Sequence, residues 1–338
     1  MTRRTKPIGE SLGYHWCMFR RPTVFILGAG ASMPLFPTGS MLTRHVCKLL
    51  ADDSYVNQLV ALGHSLGLIE EFQNALQYSH TNSVDAFLER RTEFLDLGKM
   101  AIALYLIKHE DPEVLHNGEK RPNWYQYFWN KLSSTSSFDN LDKSNATIIT
   151  FNYDRSFEHF LFTSAVNFYG RGDEETAEKI SALKFIHLHG NLGFLPWQQG
   201  YGVKKENKRE YKSTVSLAHE VVIAADSIRI VNENVDVDAD PRFQSAQQAL
   251  RQADKIYILG FGYHPKNVER LKLAEIPAKP ERRISSTGTH LTDHEVNGLK
   301  LLVNDNTRFM NGGADCLTLL RKRVEWAATR PDAKQRQA

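Results

Sequence analysis

The side chains best suited to chemistry follow two apolar segments that are typical of buried strands. Asn152 and Asp154 come directly after Ala146–Phe151, and His189 follows Phe185–Leu188. An amide both donates and accepts hydrogen bonds, a carboxylate accepts them, and an imidazole can take up or release a proton near neutral pH. In open α/β sheets, ligands bind beyond the carboxyl ends of the strands. We therefore treat these three residues as candidate site residues.

The histidine also has two other interpretations. His189 can be a structural residue, as single histidines at strand ends often are. By strand alternation His187 shares a face with His189, which raises the alternative of a metal pair. No third ligand occurs at matching spacing, so we predict no metal at this site.

A glycine-rich turn follows another short apolar segment near the start of the chain. Val24–Leu27 leads into Gly28–Ser32, with the letters GAGAS, and then into a helical pattern. Such a turn brings backbone N–H groups to a helix N-terminus, where they and the helix dipole favour a phosphate. Met33 stands where the third glycine of the dinucleotide-binding motif would be, and no acidic residue ends a second strand roughly 20 residues on. The alternatives are a phosphate-binding turn and an ordinary strand-to-helix turn.

Further apolar segments complete the predicted sheet. Lys255–Leu259 is a buried type of strand followed by Gly260 and Gly262, and Val221–Ala224 and Arg283–Gly288 are shorter candidates. Glycines at a strand end allow a ligand to approach the backbone closely. Strands that alternate with helical patterns predict an α/β fold, with a Rossmann-like parallel sheet and helices on both faces.

The region between the first two strands, about residues 52–141, contains helical patterns and no strong strand. Ser83 is placed to cap a long helix that continues to Ile107. The aromatic cluster Trp124–Trp129 has helical spacing, and such clusters more often belong to a core or an oligomer contact than to a stacking surface. We predict a helical insertion between the first and second strands.

Composition and charge narrow the class of protein. The 42 Lys and Arg residues nearly balance 39 Asp and Glu, and the net charge of +3 gives no argument for binding nucleic acid. Three distant cysteines form no C-x-x-C pair, which argues against a zinc ribbon. No apolar segment has the length of a signal peptide or a membrane span, so we expect a cytoplasmic protein. We divide the chain into an N-terminal segment 1–20, a domain 21–325 and a polar tail 326–338.

The ordered set of strand-end motifs resembles the sirtuin family, and more closely the sirtuin-like NAD hydrolases of bacterial anti-phage defence. The motifs are GAGAS at Gly28–Ser32, TFNYD at Thr150–Asp154, HLHG at His187–Gly190 and GFG at Gly260–Gly262. The protein deacylases of this family usually carry a zinc ribbon of paired C-x-x-C motifs, which this chain lacks. A helical block stands between the first and second strands, as in the defence-type hydrolases.

The resemblance implies roles for the matching residues. His189 would be a general base toward water or a ribose hydroxyl, with a pKa near the reference value of about 6.5. Asn152 would orient the water or the carboxamide, and Asp154 would hold the nicotinamide ribose or position Asn152. The residues implied to bind NAD are Gly28, Ala29, Gly30, Ser32, Gly260, Gly262 and Asn267.

The implied activity is hydrolysis of the N-glycosidic bond of NAD+ to nicotinamide and ADP-ribose, with no metal. Because free hydrolysis of NAD+ would harm the cell, the resemblance implies an abortive-infection effector that is held inactive until triggered. It also implies a homo-oligomer and a companion protein such as a ring ATPase, with no direct contact to nucleic acid or membrane. Two alternatives stay open: a non-catalytic module that senses NAD or an ADP-ribose derivative, and a zinc-free NAD-dependent deacylase.

Overall fold

The computed structural model describes residues 18–326 except 120, 201, 214–217, 231–236, 290, 304–305 and 311–312. Most of the predicted N-terminal segment and all but Trp326 of the predicted polar tail lie outside the described residues. Met18 and Phe19 are buried, and the Phe19 ring contacts the rings of Phe25 and Trp326. The two ends of the described chain therefore pack together beside the first strand.

Six parallel strands form the sheet, and this confirms the predicted α/β class. Their spatial order is β3-β2-β1-β4-β5-β6, which is the strand order of the Rossmann fold. The order reverses between β1 and β4, and ligands of such sheets bind in the crevice at this point. The strands are β1 (Thr23–Leu27), β2 (Ala146–Thr150), β3 (Lys184–His187), β4 (Lys255–Leu259), β5 (Arg283–Thr287) and β6 (Thr307–Met310).

Helices surround the sheet on both faces, as predicted. Those between β1 and β2 are α1 (Gly39–Leu49), α2 (Asp53–Ala61), α3 (Leu66–Tyr78), α4 (Val84–Arg90), α5 (Leu95–Ile107), α6 (Pro112–His116) and α7 (Asn123–Thr135). The later ones are α8 (Ser156–Tyr169), α9 (Asp173–Ser181), α10 (Ala218–Ser227), α11 (Pro241–Gln252), α12 (Pro265–Arg270), α13 (Asp293–Val303) and α14 (Cys316–Arg323).

Side chains of β1 alternate between two hydrophobic cores. Phe25 and Leu27 enter the core that α1, α5, α7 and α8 share, whereas Val24 and Ile26 enter the core beneath α11 and α12. A strand buried on both faces explains why its sequence is continuously apolar rather than alternating. The helical insertion thus covers one face of the sheet together with α8, and α11 and α12 cover the other.

The predicted strands differ from the structure in two respects. Val221–Ala224 lies inside α10, where Val221, Ala224 and Ala225 are buried at helical spacing. A short apolar segment is compatible with a buried strand and with a buried helix, so its secondary structure depends on how it packs in the fold. Arg283–Gly288 corresponds to β5 as predicted, but the four-residue edge strand β6, which follows it, was not predicted.

The helix predicted from Ser83 is interrupted. Ser83 does cap it, since its Oγ accepts from the Ala86 N–H at 3.2 Å. However, α4 ends at Arg90, and a single 3-10 turn, Thr92–Phe94, separates it from α5. The bend places α4 beside the sheet edge where the candidate site lies.

The aromatic cluster is part of the core. Trp124, Tyr125, Phe128 and Trp129 of α7 are all buried. The Trp124 indole Nε1 also donates to the Ala31 carbonyl at 2.8 Å, so α7 holds the glycine-rich turn directly.

Candidate functional site

The glycine-rich turn after β1 differs from the predicted strand–turn–helix. Ala29–Ser32 forms a short 3-10 helix, and the first α-helix begins only at Gly39. Within the turn, Ala31 N donates to Gly28 O at 2.9 Å, and Gly30 N donates to Gly260 O at 2.9 Å. The dipole of α1 therefore does not act at the turn, and at least two of the N–H groups predicted to face a phosphate already have partners.

The turns after β1 and β4 are in direct contact. A Cβ added to Gly28 would lie 2.6 Å from the Gly260 carbonyl oxygen, and one added to Gly260 would overlap the backbone of Gly30 and Ala31. Gly260 also has a φ of +59°, which favours glycine. Glycine is therefore required here by the close approach of two backbones at the switch point of the sheet.

We predict that Gly260→Ala lowers the free energy of unfolding by at least about 2 kcal/mol, because it adds left-handed strain to a steric overlap. Gly262→Ala is the matched control, since a Cβ there meets nothing within 4 Å and should change stability by less than about 0.5 kcal/mol. Urea unfolding of the three proteins measures the difference. Equal midpoints for the two variants would contradict the close approach.

Asn152 is joined to the glycine-rich turn by hydrogen bonds. Its Nδ2 donates to Gly28 O at 3.0 Å and to Ser32 Oγ at 2.9 Å. Ser32 Oγ donates in turn to Asp154 Oδ2 at 2.7 Å. The structure therefore places the predicted residues Gly28, Ser32, Asn152 and Asp154 in one hydrogen-bonded group. The Oδ1 of Asn152 has no donor among the described residues, so it is the atom of this side chain that a ligand can still use.

Asp154 is buried, and both oxygens of its carboxylate accept hydrogen bonds. Oδ2 accepts from Ser32, while Oδ1 accepts from the N–H of Ser156 at 3.2 Å and from its hydroxyl. Burial raises the pKa of Asp154, and the hydrogen bonds from Ser156 and Ser32 oppose that rise. Tyr125 of α7 supports Ser156, with 2.7 Å between the two hydroxyl oxygens. These contacts suit a residue that positions Asn152 through Ser32, which is one of its two predicted roles.

A small cavity of about 90 Å³ lies beside this group. Its walls come from the turn, from the end of β2 and from the helical insertion, which contributes Asp85 of α4 and Leu106 of α5. The lining residues are Ala29, Ser32, Phe36, Pro37, Gly39, Leu42, Asp85, Leu106, Phe151, Asn152, Tyr153 and Asp154. The insertion thus closes the carboxyl edge of the sheet beside the predicted site residues.

Asp85 and Tyr153 are cavity residues that the sequence analysis missed. Tyr153 is buried and Asp85 is half-buried, and the Tyr153 hydroxyl donates to Asp85 Oδ1. Burial raises the pKa of Asp85, and the bond from Tyr153 opposes the rise. Asp85 is in the first turn of α4, where the helix dipole favours an acidic residue. Its position in the sequence therefore did not indicate a functional site.

His189 lies at the same edge of the sheet but outside this cavity. Its ring packs edge-on against Phe151, with centroids 5.2 Å apart, and lies 6.4 Å from the Tyr153 ring. The side chain is 8% exposed, and its buried Nε2 has no hydrogen-bond partner among the described residues. Phe151 and Tyr153 line the cavity and also contact the histidine, so these two rings connect His189 with the group around Asn152.

The expected pKa of His189 is wrong for this structure. Burial, with smaller contributions from the positive charges of Arg270 and Arg242 and from His264, lowers the pKa to about 3. The imidazole is therefore neutral at pH 7, as a general base must be, but it binds a proton weakly. Sequence could not reveal this because the desolvating rings and arginines come from distant segments.

We predict an acid-sensitive contribution of His189 to stability. The folded-state pKa is below the unfolded value of about 6.5, so the unfolded chain takes up the proton first, and stability is lost as the pH falls below that value. Between pH 6.5 and 5 the loss from this histidine should be about 1.6 kcal/mol. This contribution should be absent in His189→Phe, which keeps the contributions of His109 and His159, and it should be retained in His219→Phe, whose residue is exposed. Urea unfolding at both pH values measures this, and parallel slopes in wild type and His189→Phe would contradict it.

His187 has different partners from those of His189. Its Nε2 lies 2.6 Å from Glu158 Oε1, and its Nδ1 lies 3.2 Å from the Asn152 carbonyl oxygen. Burial lowers the pKa of His187, but the charge and the hydrogen bond of Glu158 outweigh burial, so the pKa is raised overall. The strand ends at His187, so the predicted alternation does not extend to His189. Within the described ranges, no group of three or more His, Cys, Asp or Glu residues is arranged to hold a metal ion.

Two predicted NAD-binding residues lie apart from the group around Asn152. Gly262 is exposed, and Asn267 is in the first turn of α12, where its backbone N–H donates to His264 O at 2.9 Å. Neither residue lines the cavity.

No family model matches the chain, and a search of curated proteins gives no match either. Across the part of the chain that the structure describes, no helix combines the length and apolar character that a bilayer span requires.

Proposed function

We propose that the chain cleaves NAD+ to nicotinamide and ADP-ribose at the carboxyl edge of the sheet. The observation that carries this proposal is the hydrogen bonding of Asn152 to both Gly28 and Ser32 at the switch point of a sheet with Rossmann strand order. In such sheets the crevice at the switch point takes dinucleotides. The position of Asn152 and Asp154 at this point of the sheet supports the proposal that they act on a bound dinucleotide.

The proposed reaction breaks the bond between the ribose C1′ and the nicotinamide nitrogen. The bonding electron pair leaves with neutral nicotinamide, and a water oxygen bonds to C1′ and loses its proton to a base. The transition state resembles an oxocarbenium ion, so a site accelerates the reaction by orienting water and carboxamide around it. In this proposal Asn152 Oδ1 accepts from the water or the carboxamide, and Asp154 acts through Ser32.

His189 is the proposed base, and it needs a change of surroundings to act as one. Its pKa of about 3 reflects burial beneath aromatic rings and nearby positive charge. Entry of water would reduce the burial of His189, and the anionic pyrophosphate would offset the nearby positive charge. Both changes would raise the pKa of His189 toward the working pH. The proposed active state is therefore one in which Phe151 no longer isolates the imidazole.

The size of the cavity supports an enzyme that is restrained before activation. Small-molecule sites usually enclose about 300–1,000 Å³, whereas this cavity measures about 90 Å³. Binding NAD+ would require the wall at Phe36 and Pro37 or the Phe151 ring to move. This agrees with the proposal of a defence effector that a trigger opens, through homo-oligomer assembly or through a companion such as a ring ATPase.

The direct test is to incubate the purified full chain with NAD+ and to measure nicotinamide and ADP-ribose by chromatography. The assay is run with the chain alone, at high protein concentration, and with proteins recovered together with it from its own cells. We expect equal amounts of both products in at least one condition. Absence of turnover in all of them would overturn the proposal.

The small cavity and the weakly basic histidine favour one second candidate, a non-catalytic sensor of NAD or an ADP-ribose derivative. Such a module would show saturable binding of NAD+ or ADP-ribose by calorimetry and no nicotinamide release under any of the conditions above. Binding and turnover measured on the same preparation separate the two functions.

A further inference from the structure

A broad basic groove lies at the edge of the sheet opposite the candidate site. It encloses about 670 Å³ and begins where β5 and β6 begin, at Arg283 and Thr307. We call it the amino-edge groove. Its basic lining residues are Lys279, Arg282, Arg283, Lys300, Arg308 and Arg323.

The charge of the amino-edge groove is only partly compensated, by Asp254 near Lys279 and Arg282 and by Glu281 near Arg283. The described lining residues include no Asp or Glu. In the described part of the chain, Lys300, Arg308 and Arg323 form no ion pair, and Lys279 has a single distant one, 3.6 Å from Asp254. Positive charge collected in a concave surface raises the local concentration of anions.

One arginine gives the groove a rigid wall. Arg282 is buried, and its Nε and Nη2 donate to the carbonyls of Ala253 at 2.8 Å and Arg251 at 2.7 Å. Its remaining Nη1 donates to the Pro277 carbonyl. These bonds use neutral acceptors, so they fix the guanidinium without cancelling its charge. The segment that carries Lys279 and Arg283 is thereby held against the sheet.

The size and the remaining lining of the amino-edge groove indicate which anion fits. The volume of the groove falls in the range of about 300–1,000 Å³ that is usual for small-molecule sites. Arginine forks bind phosphate oxygens in pairs of hydrogen bonds. Ile284, Val296 and Phe309 supply apolar surface against which a flat ring could pack. Phosphate groups joined to a ring system match both features.

We propose that the amino-edge groove binds a nucleoside diphosphate or triphosphate, at a site separate from the proposed NAD site. Lys300, Arg308 and Arg323 contact the phosphates, while Arg282 supplies a fixed positive charge behind them. The proposal does not depend on NAD hydrolysis, because the two sites lie at opposite ends of the strands.

The test is calorimetric titration of the full chain with ATP, ADP and inorganic tripolyphosphate at 50 and 200 mM salt. The variant is Lys300→Glu with Arg308→Glu, and the control is Lys184→Glu with Lys205→Glu, which makes the same charge change at exposed positions far from the groove in sequence. We expect roughly tenfold or greater weakening for the groove variant and no weakening for the control. Circular dichroism verifies that both variants are folded, and nicotinamide release by both should equal that of wild type.

The proposal would be overturned by no binding of ATP or ADP, by equal binding by the groove variant and the control, or by tighter binding of a 20-base-pair DNA duplex than of ATP. The last result would assign the groove to a nucleic-acid backbone. Tripolyphosphate binding as tight as ATP binding would also contradict the proposed contact of a ring with the apolar surface.

Discussion

Glu110→Gln is expected to lower the free energy of unfolding by about 3–5 kcal/mol, because it removes the charged carboxylate that pairs with two buried guanidinium groups. Arg155 donates to Glu110 through Nε at 2.8 Å and Nη2 at 2.6 Å, and Arg209 donates to the same carboxylate. The side chains of Glu110 and Arg155 are 0% exposed and that of Arg209 is 1% exposed. Glutamine keeps the shape of glutamate, so the change removes the charge without creating a cavity.

This cluster connects three separate parts of the fold. Glu110 follows α5 of the insertion, Arg155 follows β2, and Arg209 belongs to the long loop after β3. Arg155 Nη1 also donates to the carbonyls of Gly193 at 3.0 Å and Arg209 at 2.9 Å. Loss of the central carboxylate should therefore loosen the insertion and the loop together.

Urea unfolding of Glu110→Gln is compared with that of Glu178→Gln, an exposed position of α9 that should stay within about 0.5 kcal/mol of wild type. A loss of unfolding free energy below about 1 kcal/mol for Glu110→Gln would contradict the prediction. It would mean that water or the carboxylate of another residue compensates the charge of the two arginines.

Asn152→Ala is expected to lower the rate of nicotinamide release by about 10²–10³-fold, the usual effect of removing one polar group that orients a reacting centre. The change removes Oδ1, the proposed contact to water or carboxamide, and the two hydrogen bonds to Gly28 and Ser32. Those bonds should contribute about 1–3 kcal/mol to stability. Activity is therefore measured under conditions where circular dichroism shows the variant to be folded.

Asn167→Ala is the matched control, because its exposed amide bonds only the Thr163 carbonyl of its own helix. His189→Ala and Asp154→Asn test the remaining roles. His189→Ala should lower kcat by about 10²–10⁴-fold if the imidazole is the base, and Asp154→Asn should act less strongly because Asp154 works through Ser32. Full activity in Asn152→Ala would remove this residue from the proposed mechanism.

Much of the sheet and part of the site could be predicted from sequence. Three central strands, β1, β2 and β4, were evident as short runs buried on both faces, because such runs are largely apolar throughout. Parallel strands place their carboxyl ends at one edge, so the turn at Gly28 and the residues Asn152 and Asp154 were expected together. The helical insertion separates Gly28 from Asn152 and Asp154 by more than 100 residues of sequence. The prediction still held, because the pairing of β1 with β2 depends on the two strands and not on the segment that connects them.

The residue types within one segment could not show which other segments it would contact in the folded protein. Helix α10 and strand β6 depended on packing partners, and the backbone contact between Gly30 and Gly260 depended on the adjacency of β1 and β4. Asp85 reached the cavity only because the bend between α4 and α5 places it there.

The sequence by itself therefore determined the α/β class, the helical insertion and the strand-end residues, since these follow from patterns within a few neighbouring residues. The tertiary structure alone decided the strand order, the partners of Asn152, the low pKa of His189 and the basic character of the amino-edge groove. Each of these depends on burial or charge contributed by segments that are far apart in the chain, and burial and charge are properties of the folded surroundings.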